Sequence, residues 1–130
     1  MFHHIIVGTN DIERAKKFYD ALLATLGAPE GVRNVNGSGQ TRVFYTHEGN
    51  KLGITQPIDG QPATVSNGAT IAFKSTSPEQ AAAWHAAGIA HGGQSIEAPP
   101  GWRDTPNGKI YLAYLRDPDG NKLGAIHKPD

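Results

Sequence analysis

Histidine is the side chain of this sequence best suited to acid–base or metal chemistry, because it titrates near neutrality. The chain has six histidines and no cysteine, which excludes disulfides and thiolate metal sites. His4 lies in an apolar segment typical of a strand, where it could act as a general base, donate a hydrogen bond to a ligand or be purely structural. Its neighbour His3 is predicted to point to the opposite face, because successive strand side chains alternate. No pair has the spacing of a helical metal site, and we expect the others to be surface or structural residues: His47, His85, His91 and His127.

A second set of residues could contact an organic ligand. The segment 98–104 is too rich in Pro and Gly to predict regular structure, and it could fold over a cleft. Trp102 in this segment could stack on a planar ligand or simply cover a sheet edge, while Arg103 and Lys74 could meet an anionic group. Tyr111 is the tyrosine of its strand that we predict to face the cleft. The sequence contains no phosphate loop, nucleotide fingerprint or nucleophile–base pair.

An internal repeat provides the framework that must position these residues. A constant shift of the chain against itself aligns apolar positions such as Phe18 with Trp84, and Gly27 with Gly93. The residues Gly-Asn-Lys-Leu-Gly at 49–53 also recur unchanged at 120–124. The sequence therefore predicts module 1 over residues 1–57, a linker over 58–67 and module 2 over 68–130.

Each module is predicted to contain a strand, a helix and then three strands. In module 1 the strand from His3 to Gly8 precedes a helix that Asp11 caps and that ends at Gly27. In module 2 Ser77 caps the helix, with Pro78 first and Gln80 completing a capping box. The remaining strands are predicted at 31–34, 41–46 and 52–56 in module 1, and at 94–97, 109–116 and 122–127 in module 2.

Strand alternation predicts which side chains line a cleft and which pack under the helices. If His4 faces the cleft, so does Ile6, while Ile5 and Val7 face the helix. The corresponding lining residues of module 2 are Thr70, Ala72 and Lys74. The predicted lining is small and apolar with few polar groups, as is common in small-molecule sites.

Composition limits the partners. The twelve Lys and Arg residues balance twelve Asp and Glu residues, so no basic stripe is expected for nucleic acid or an anionic membrane. No apolar run approaches the roughly 20 residues of a membrane span. We therefore expect a cytoplasmic protein whose partner is a small molecule, with neither nucleic acid nor membrane as a partner.

Five motifs follow one another along the chain: His4 on the first strand, Asn10-Asp11 before the first helix, Phe18-Tyr19 on that helix, Ala72-Phe73 at the start of module 2, and the Asp-Pro-Asp-Gly-Asn turn at 117–121. Together they resemble the vicinal oxygen chelate superfamily, which includes glyoxalases, bleomycin-resistance proteins and extradiol dioxygenases. The resemblance implies an α+β fold in which two tandem βαβββ modules form a curved mixed sheet around a cleft. Open sheet edges, and the pairing common among such relatives, also predict a homodimer. Whether the cleft lies within one chain or between two chains stays open.

The resemblance further implies four positions that hold a divalent metal, and here they are His4, Gly53, Thr70 and Gly124. Only His4 can ligate well, because a Thr hydroxyl is a poor ligand and Gly has no side chain. We therefore expect no metal and no other cofactor. If the four positions converge, restoring His and Glu side chains there is predicted to rebuild a metal site.

Three functions remain open. The first is a binding protein that captures a small molecule without the usual catalytic metal. The alternative is a glyoxalase-like lyase or isomerase of the lactoylglutathione lyase type, with a relocated metal or with His4 as a base. The third is a relic whose cleft is filled by its own side chains.

Overall fold

The computed structural model describes residues 1–129, in which two helices and nine strands form an α+β fold with two mixed sheets. The first half of the chain contains β1 (Ile5–Gly8), α1 (Ile12–Ala24), β2 (Val32–Val35), β3 (Thr41–His47) and β4 (Asn50–Thr55). The second half contains β5 (Ile71–Lys74), α2 (Pro78–Ala90), β6 (Gln94–Ser95), β7 (Gly101–Thr105), β8 (Gly108–Arg116) and β9 (Lys122–His127). Neither helix is long and apolar enough to cross a membrane.

The two sheets repeat one topology, which confirms the predicted fold class. The first sheet has the order β1-β4-β3-β2 and the second the order β5-β9-β8-β6. In each sheet the first strand is parallel to the last, with Ile6 opposite Gly53 and Ala72 opposite Gly124. The second sheet has one strand more than predicted, because residues 101–105 pair with β8 as β7. The expectation that segment 98–104 lacks regular structure is therefore wrong, since backbone pairing to β8 outweighs the local Pro and Gly content.

Helix α1 begins and packs as its sequence predicts but ends early. The Asp11 side chain accepts a hydrogen bond from the Arg14 amide at 3.0 Å, and the buried residues follow the three- and four-residue spacing of an amphipathic helix. The helix ends at Ala24 rather than Gly27, because its last amides bond three residues back, with Leu26 donating to Leu23. Gly27 then adopts a φ of +91°, which favours glycine.

Helix α2 has the predicted cap with one change. Ser77 Oγ accepts a hydrogen bond from the Gln80 amide at 3.0 Å, and Pro78 occupies the first turn. Gln80 Oε1 accepts from the Thr76 amide at 2.6 Å, whereas a standard capping box would use the amide of Ser77. The reciprocal bond therefore stabilises the chain one residue before the cap.

One core joins the two modules. Phe18 and Leu22 of α1 belong to the same buried cluster as Trp84 of α2 and Leu115 of β8. Gly88 lets the helices approach, because a Cβ there would overlap Leu115 and lie 3.1 Å from Leu22. Both sheets therefore bury their helix-facing sides in one core, and each leaves the opposite side open.

Two buried aspartates connect the turn before β9 to the first module. Tyr19 Oη donates to Asp117 Oδ2 at 2.5 Å, and burial, followed by the charge of this carboxylate, raises the pKa of Tyr19. Asp119 accepts hydrogen bonds from Thr9 Oγ1 at 2.5 Å and from the Arg14 guanidinium at 2.9 Å. The turn thus fixes the end of β1 and the start of α1 relative to module 2.

A second polar cluster lies between α1 and β3. The Asp20 carboxylate accepts hydrogen bonds from Lys16 Nζ, from Tyr45 Oη and from the Gly31 amide, at 2.7, 2.7 and 3.1 Å. Burial opposes ionisation of this carboxyl, but the three donors outweigh it and hold the pKa of Asp20 below its ordinary value. Ionised Asp20 therefore stabilises the contact between helix and sheet.

Candidate ligand-binding site

The first open face, meaning the side of the first sheet opposite α1, forms a hollow of about 630 Å³. Four cross-strand neighbours form its central row: Ile6 on β1, Gly53 on β4, Phe44 on β3 and Val32 on β2. His3, His4, Asn34, Arg42, Thr46 and Lys51 also belong to its lining. The residues around this hollow all come from module 1.

An aromatic ring covers the glycine in the centre of this row. A Cβ built on Gly53 would lie 2.7 Å from Cε1 of Phe44 and 2.9 Å from Cγ1 of Ile6, which is closer than packed carbon atoms approach. Gly53 does not have a left-handed φ, so the backbone would accept other residues. Glycine is required at position 53 for steric reasons, because the Phe44 ring occupies the volume that a side chain would fill.

Two cations flank the same ring. The guanidinium carbon of Arg42 lies 5.2 Å from the ring centroid of Phe44, and Lys51 Nζ lies 5.5 Å from it. Arg42 Nε donates to Asn34 Oδ1 at 2.8 Å, which orients the guanidinium. Within residues 1–129 neither cation pairs with a carboxylate, and Glu30 of the lining is bound by Lys16 at 2.8 Å. The hollow therefore carries positive charge that no carboxylate of the described residues neutralises.

His3 and His4 form a pair at the rim of the hollow. Their Nδ1 atoms lie 2.7 Å apart and their rings pack edge to face. The prediction that His3 faces away from His4 is wrong, because β1 begins only at Ile5 and strand alternation does not extend to residues 3 and 4. A neutral pair shares one Nδ1 proton across this bond, so the donating ring carries an unprotonated Nε2.

The second open face, the corresponding side of the second sheet, repeats the arrangement with one difference. A Cβ on Gly124 would lie 2.8 Å from Cε1 of Tyr114, and Lys122 Nζ lies 4.7 Å from the centroid of that ring. Lys122, however, forms an ion pair with Glu97. Leu112 takes the register position that Arg42 has in module 1. The second face is thus the less cationic of the two around its ring.

The predicted lining residues are divided between several surfaces. His4 and Ile6 line the hollow of the first open face, which module 1 forms alone and which is therefore not the cleft between two modules that the sequence predicted. Ala72 and Lys74 are exposed on the second open face. Thr70 precedes β5 and lines a smaller hollow of about 200 Å³ where β1 approaches β5. Arg103 lies on the second open face, but its guanidinium folds back and donates to the Pro99 carbonyl at 2.7 Å.

Trp102 and Tyr111 lie on the wrong side of the sheet for the predicted cleft. They are cross-strand partners with ring centroids 5.6 Å apart, and Tyr111 packs against the buried core. Tyr111 shares its side of β8 with buried Ala113, so both aromatic side chains point to the helix side. The prediction that Tyr111 faces the cleft is wrong, and Tyr114 is the tyrosine on the open face. For Trp102, whose role was left open, the arrangement fits the alternative of covering the sheet edge.

The sequence prediction missed three residues of this site: Arg42, Phe44 and Lys51. The alternation of residue types along β3 indicates the first two. Residues 42–46 alternate, and burial of Val43 and Tyr45 places Arg42 and Phe44 on the open side of β3. The strand was predicted, but its alternation was not followed across to Gly53. Lys51 belongs to the repeated pentapeptide, so a lysine two residues before the covered glycine occurs in both modules.

The four positions implied to hold a metal do not fit that role in this chain. Gly53 and Gly124 offer no donor atom, and aromatic rings occupy the places of their side chains. Thr70 is exposed outside β5, and within residues 1–129 no three His, Cys, Asp or Glu side chains are grouped to hold an ion. A glutamate introduced at either glycine would first have to displace a ring, and the rebuilding of a metal site by restored side chains stays a prediction.

Comparison with known proteins identifies the family of the chain. The sequence model of the glyoxalase/bleomycin resistance protein/dioxygenase superfamily matches residues 1–124. The chain belongs to this superfamily. The resemblance noted from the sequence is therefore confirmed. No curated protein matches the chain.

Solved structures agree with this assignment. A glyoxalase/bleomycin resistance protein from Albidiferax ferrireducens is 58% identical with a TM-score of 0.90, over 98% of this chain and 99% of that one. A glyoxalase-related enzyme from Fulvimarina pelagi is 21% identical with a TM-score of 0.69, over 97% and 87% of the two chains. A fosfomycin resistance protein from Listeria monocytogenes, complexed with manganese(II) and sulfate, is 14% identical with a TM-score of 0.69, over 99% and 93%. The last two likenesses concern the fold alone.

Proposed function

We propose that this superfamily member binds a small organic molecule in the hollow of the first open face, without a divalent metal at the usual site. One observation carries the proposal: aromatic rings occupy the side-chain places of both Gly53 and Gly124. An apolar row with a few polar groups at its borders is the common composition of small-molecule sites. The rings replace metal ligands with a surface on which an organic ligand can pack.

Metal analysis of the purified protein tests the first part of the proposal. Protein prepared without chelator should contain far less than one equivalent of zinc, nickel, manganese or iron by elemental analysis. His91→Ala is a matched control for His4→Ala, because His91 is exposed on the far side of α2. One tightly bound ion per chain that is lost with His4→Ala but kept with His91→Ala would contradict the proposal.

A ligand screen tests the second part. A fragment library screened by thermal shift and then by amide chemical shifts should give ligands that perturb Ile6, Gly53 and Phe44. Ligands that bind only at other surfaces, or the absence of any ligand after a broad screen, would contradict binding in the hollow.

We also propose that two copies of the chain form a homodimer that covers this hollow. The hollow is open to solvent, and its border exposes apolar side chains, with 38% of Ile6 and 67% of Val32 accessible. Such surfaces on a small chain are typical of interaction sites. Light scattering should give about twice the chain mass of 13.8 kDa at micromolar concentration. A mass equal to one chain would contradict the dimer.

Proton transfer by the histidine pair is a second candidate function. The observation in its favour is the Nδ1 to Nδ1 contact of His3 and His4, which leaves one Nε2 as a base at the border of the hollow. This would support a glyoxalase-like lyase or isomerase that uses no metal. Activity on α-ketoaldehyde adducts of thiols that disappears with His4→Ala, in a variant that still folds, would favour it over simple binding.

A further inference from the structure

We propose that the ligand of the first open face is a planar aromatic carboxylate, held by Arg42 and packed on Phe44. This inference rests on the proposed function and specifies its ligand class. It comes from the juxtaposition of one half-buried ring with two cations that no carboxylate neutralises within the described residues 1–129.

The geometry of Arg42 selects a carboxylate. Asn34 Oδ1 accepts from Nε at 2.8 Å, so this bond orients the guanidinium and leaves both terminal amino groups without a side-chain partner within residues 1–129. Two parallel N–H groups match the two oxygens of a carboxylate, a match that a lysine cannot make. Arg42 is also only partly exposed, and partial desolvation strengthens a charged hydrogen bond.

The central row selects a flat apolar body next to that carboxylate. Ile6, Phe44 and Val32 lie in one row across the four strands, and the Phe44 ring covers Gly53 on the strand between β1 and β3. An aromatic ring can stack or pack edge to face on Phe44, whereas a charged or strongly hydrated body would leave this surface poorly covered. Lys51, on the other side of Phe44, would attract a further electron-rich substituent of the ligand.

The second open face gives an internal comparison. It has the same glycine under a ring and the same lysine, but Glu97 neutralises Lys122 and Leu112 stands where module 1 has Arg42. If the ring over glycine served only to pack the sheet, the charges around it would not need to differ between the two modules. Within residues 1–129, an arginine packed against the ring over glycine is therefore found on the first face and not on the second.

Titration of 1-naphthoate against the uncharged 1-naphthamide tests the inference directly. Calorimetry and amide chemical shifts should show naphthoate at Ile6 and Phe44, with an affinity at least about tenfold above that of the amide. Arg42→Gln should abolish this preference, Arg42→Lys should retain only part of it, and Phe44→Leu should weaken both compounds. Lys17→Gln is the charge-matched control, since Lys17 is exposed on α1, and it should change nothing.

The outcomes separate this inference from the proposed function. Equal affinity for the two compounds, or an unchanged preference in Arg42→Gln, would overturn the carboxylate assignment. If the fragment screen gave ligands in the hollow that are neither aromatic nor anionic while naphthoate failed to bind, the ligand class would be wrong and the binding site would stand. If nothing bound in the hollow, both proposals would fail.

Discussion

Replacing Gly53 by alanine should destabilise the protein through its contact with one ring. The added Cβ would lie 2.7 and 3.0 Å from two atoms of Phe44 and 2.9 Å from Ile6, so a half-buried ring would have to move. Overpacking of this kind costs about 1 to 3 kcal/mol. Loss of the flexible glycine from a strand returns about 0.5 to 1 kcal/mol. The expected net loss in free energy of unfolding is therefore up to about 2.5 kcal/mol, with a central value of about 1 kcal/mol.

A double-mutant cycle assigns that loss to the ring. In a Phe44→Ala background, Gly53→Ala should cost less, because only the contact with Ile6 remains, giving a coupling of about 1 kcal/mol or more. Urea unfolding followed by circular dichroism, at one fixed protein concentration, measures all four proteins. Gly37→Ala is the control, because nothing lies within 4 Å of its Cβ and its φ is not left-handed. An equal cost of Gly53→Ala in both backgrounds would refute the argument that Phe44 occupies this place.

Three further predictions concern the core and its polar contacts. Phe18→Ala and Trp84→Ala should each lower the free energy of unfolding, measured in urea, by about 3 to 5 kcal/mol. Both side chains are fully buried at equivalent places of the repeat. Unchanged stability of both variants would contradict the shared core. Tyr19→Phe should lower the free energy of unfolding by about 1 to 3 kcal/mol, because buried Asp117 loses a hydrogen-bond donor at 2.5 Å. An unchanged free energy would mean that water replaces the hydroxyl. The folded-state pKa of Asp20 lies below its unfolded value, so its stabilisation is present above about pH 4 and is lost as pH falls through the folded pKa. Asp20→Asn should therefore flatten the fall of unfolding free energy between about pH 5 and 2, and parallel curves would contradict the assignment.

Local patterns in the sequence were sufficient for most of the elements. Asp11 and Ser77 cap the helices as predicted, because capping depends on one side chain and the amide three residues later. The last strand, Lys122–His127, has the predicted bounds. The register that sets Gly53 and Gly124 at matching places follows from the repeat. These features depend on short-range geometry that residue types encode directly.

The errors arose where an interaction between distant segments decides the result. The chain at 101–105 forms a strand because β8 offers an unpaired edge, which local composition does not indicate. That pairing sets Trp102 opposite Tyr111 and turns both to the helix side. His3 joins His4 because the strand starts two residues later than its apolar pattern suggests.

The sequence by itself determined the repeat, the superfamily resemblance and the loss of a good metal ligand at three of the four implied metal positions. Tertiary structure alone decided what took their place. Phe44 lies nine residues before Gly53 in the chain, yet it covers that glycine because β3 and β4 pair antiparallel in a register that sets the two opposite each other. Lys51 of β4 meets the same ring for the same reason, whereas Arg42 reaches it from two residues away on β3. Cross-strand contacts depend on register, and a shift of one residue would have turned each of these side chains to the other face.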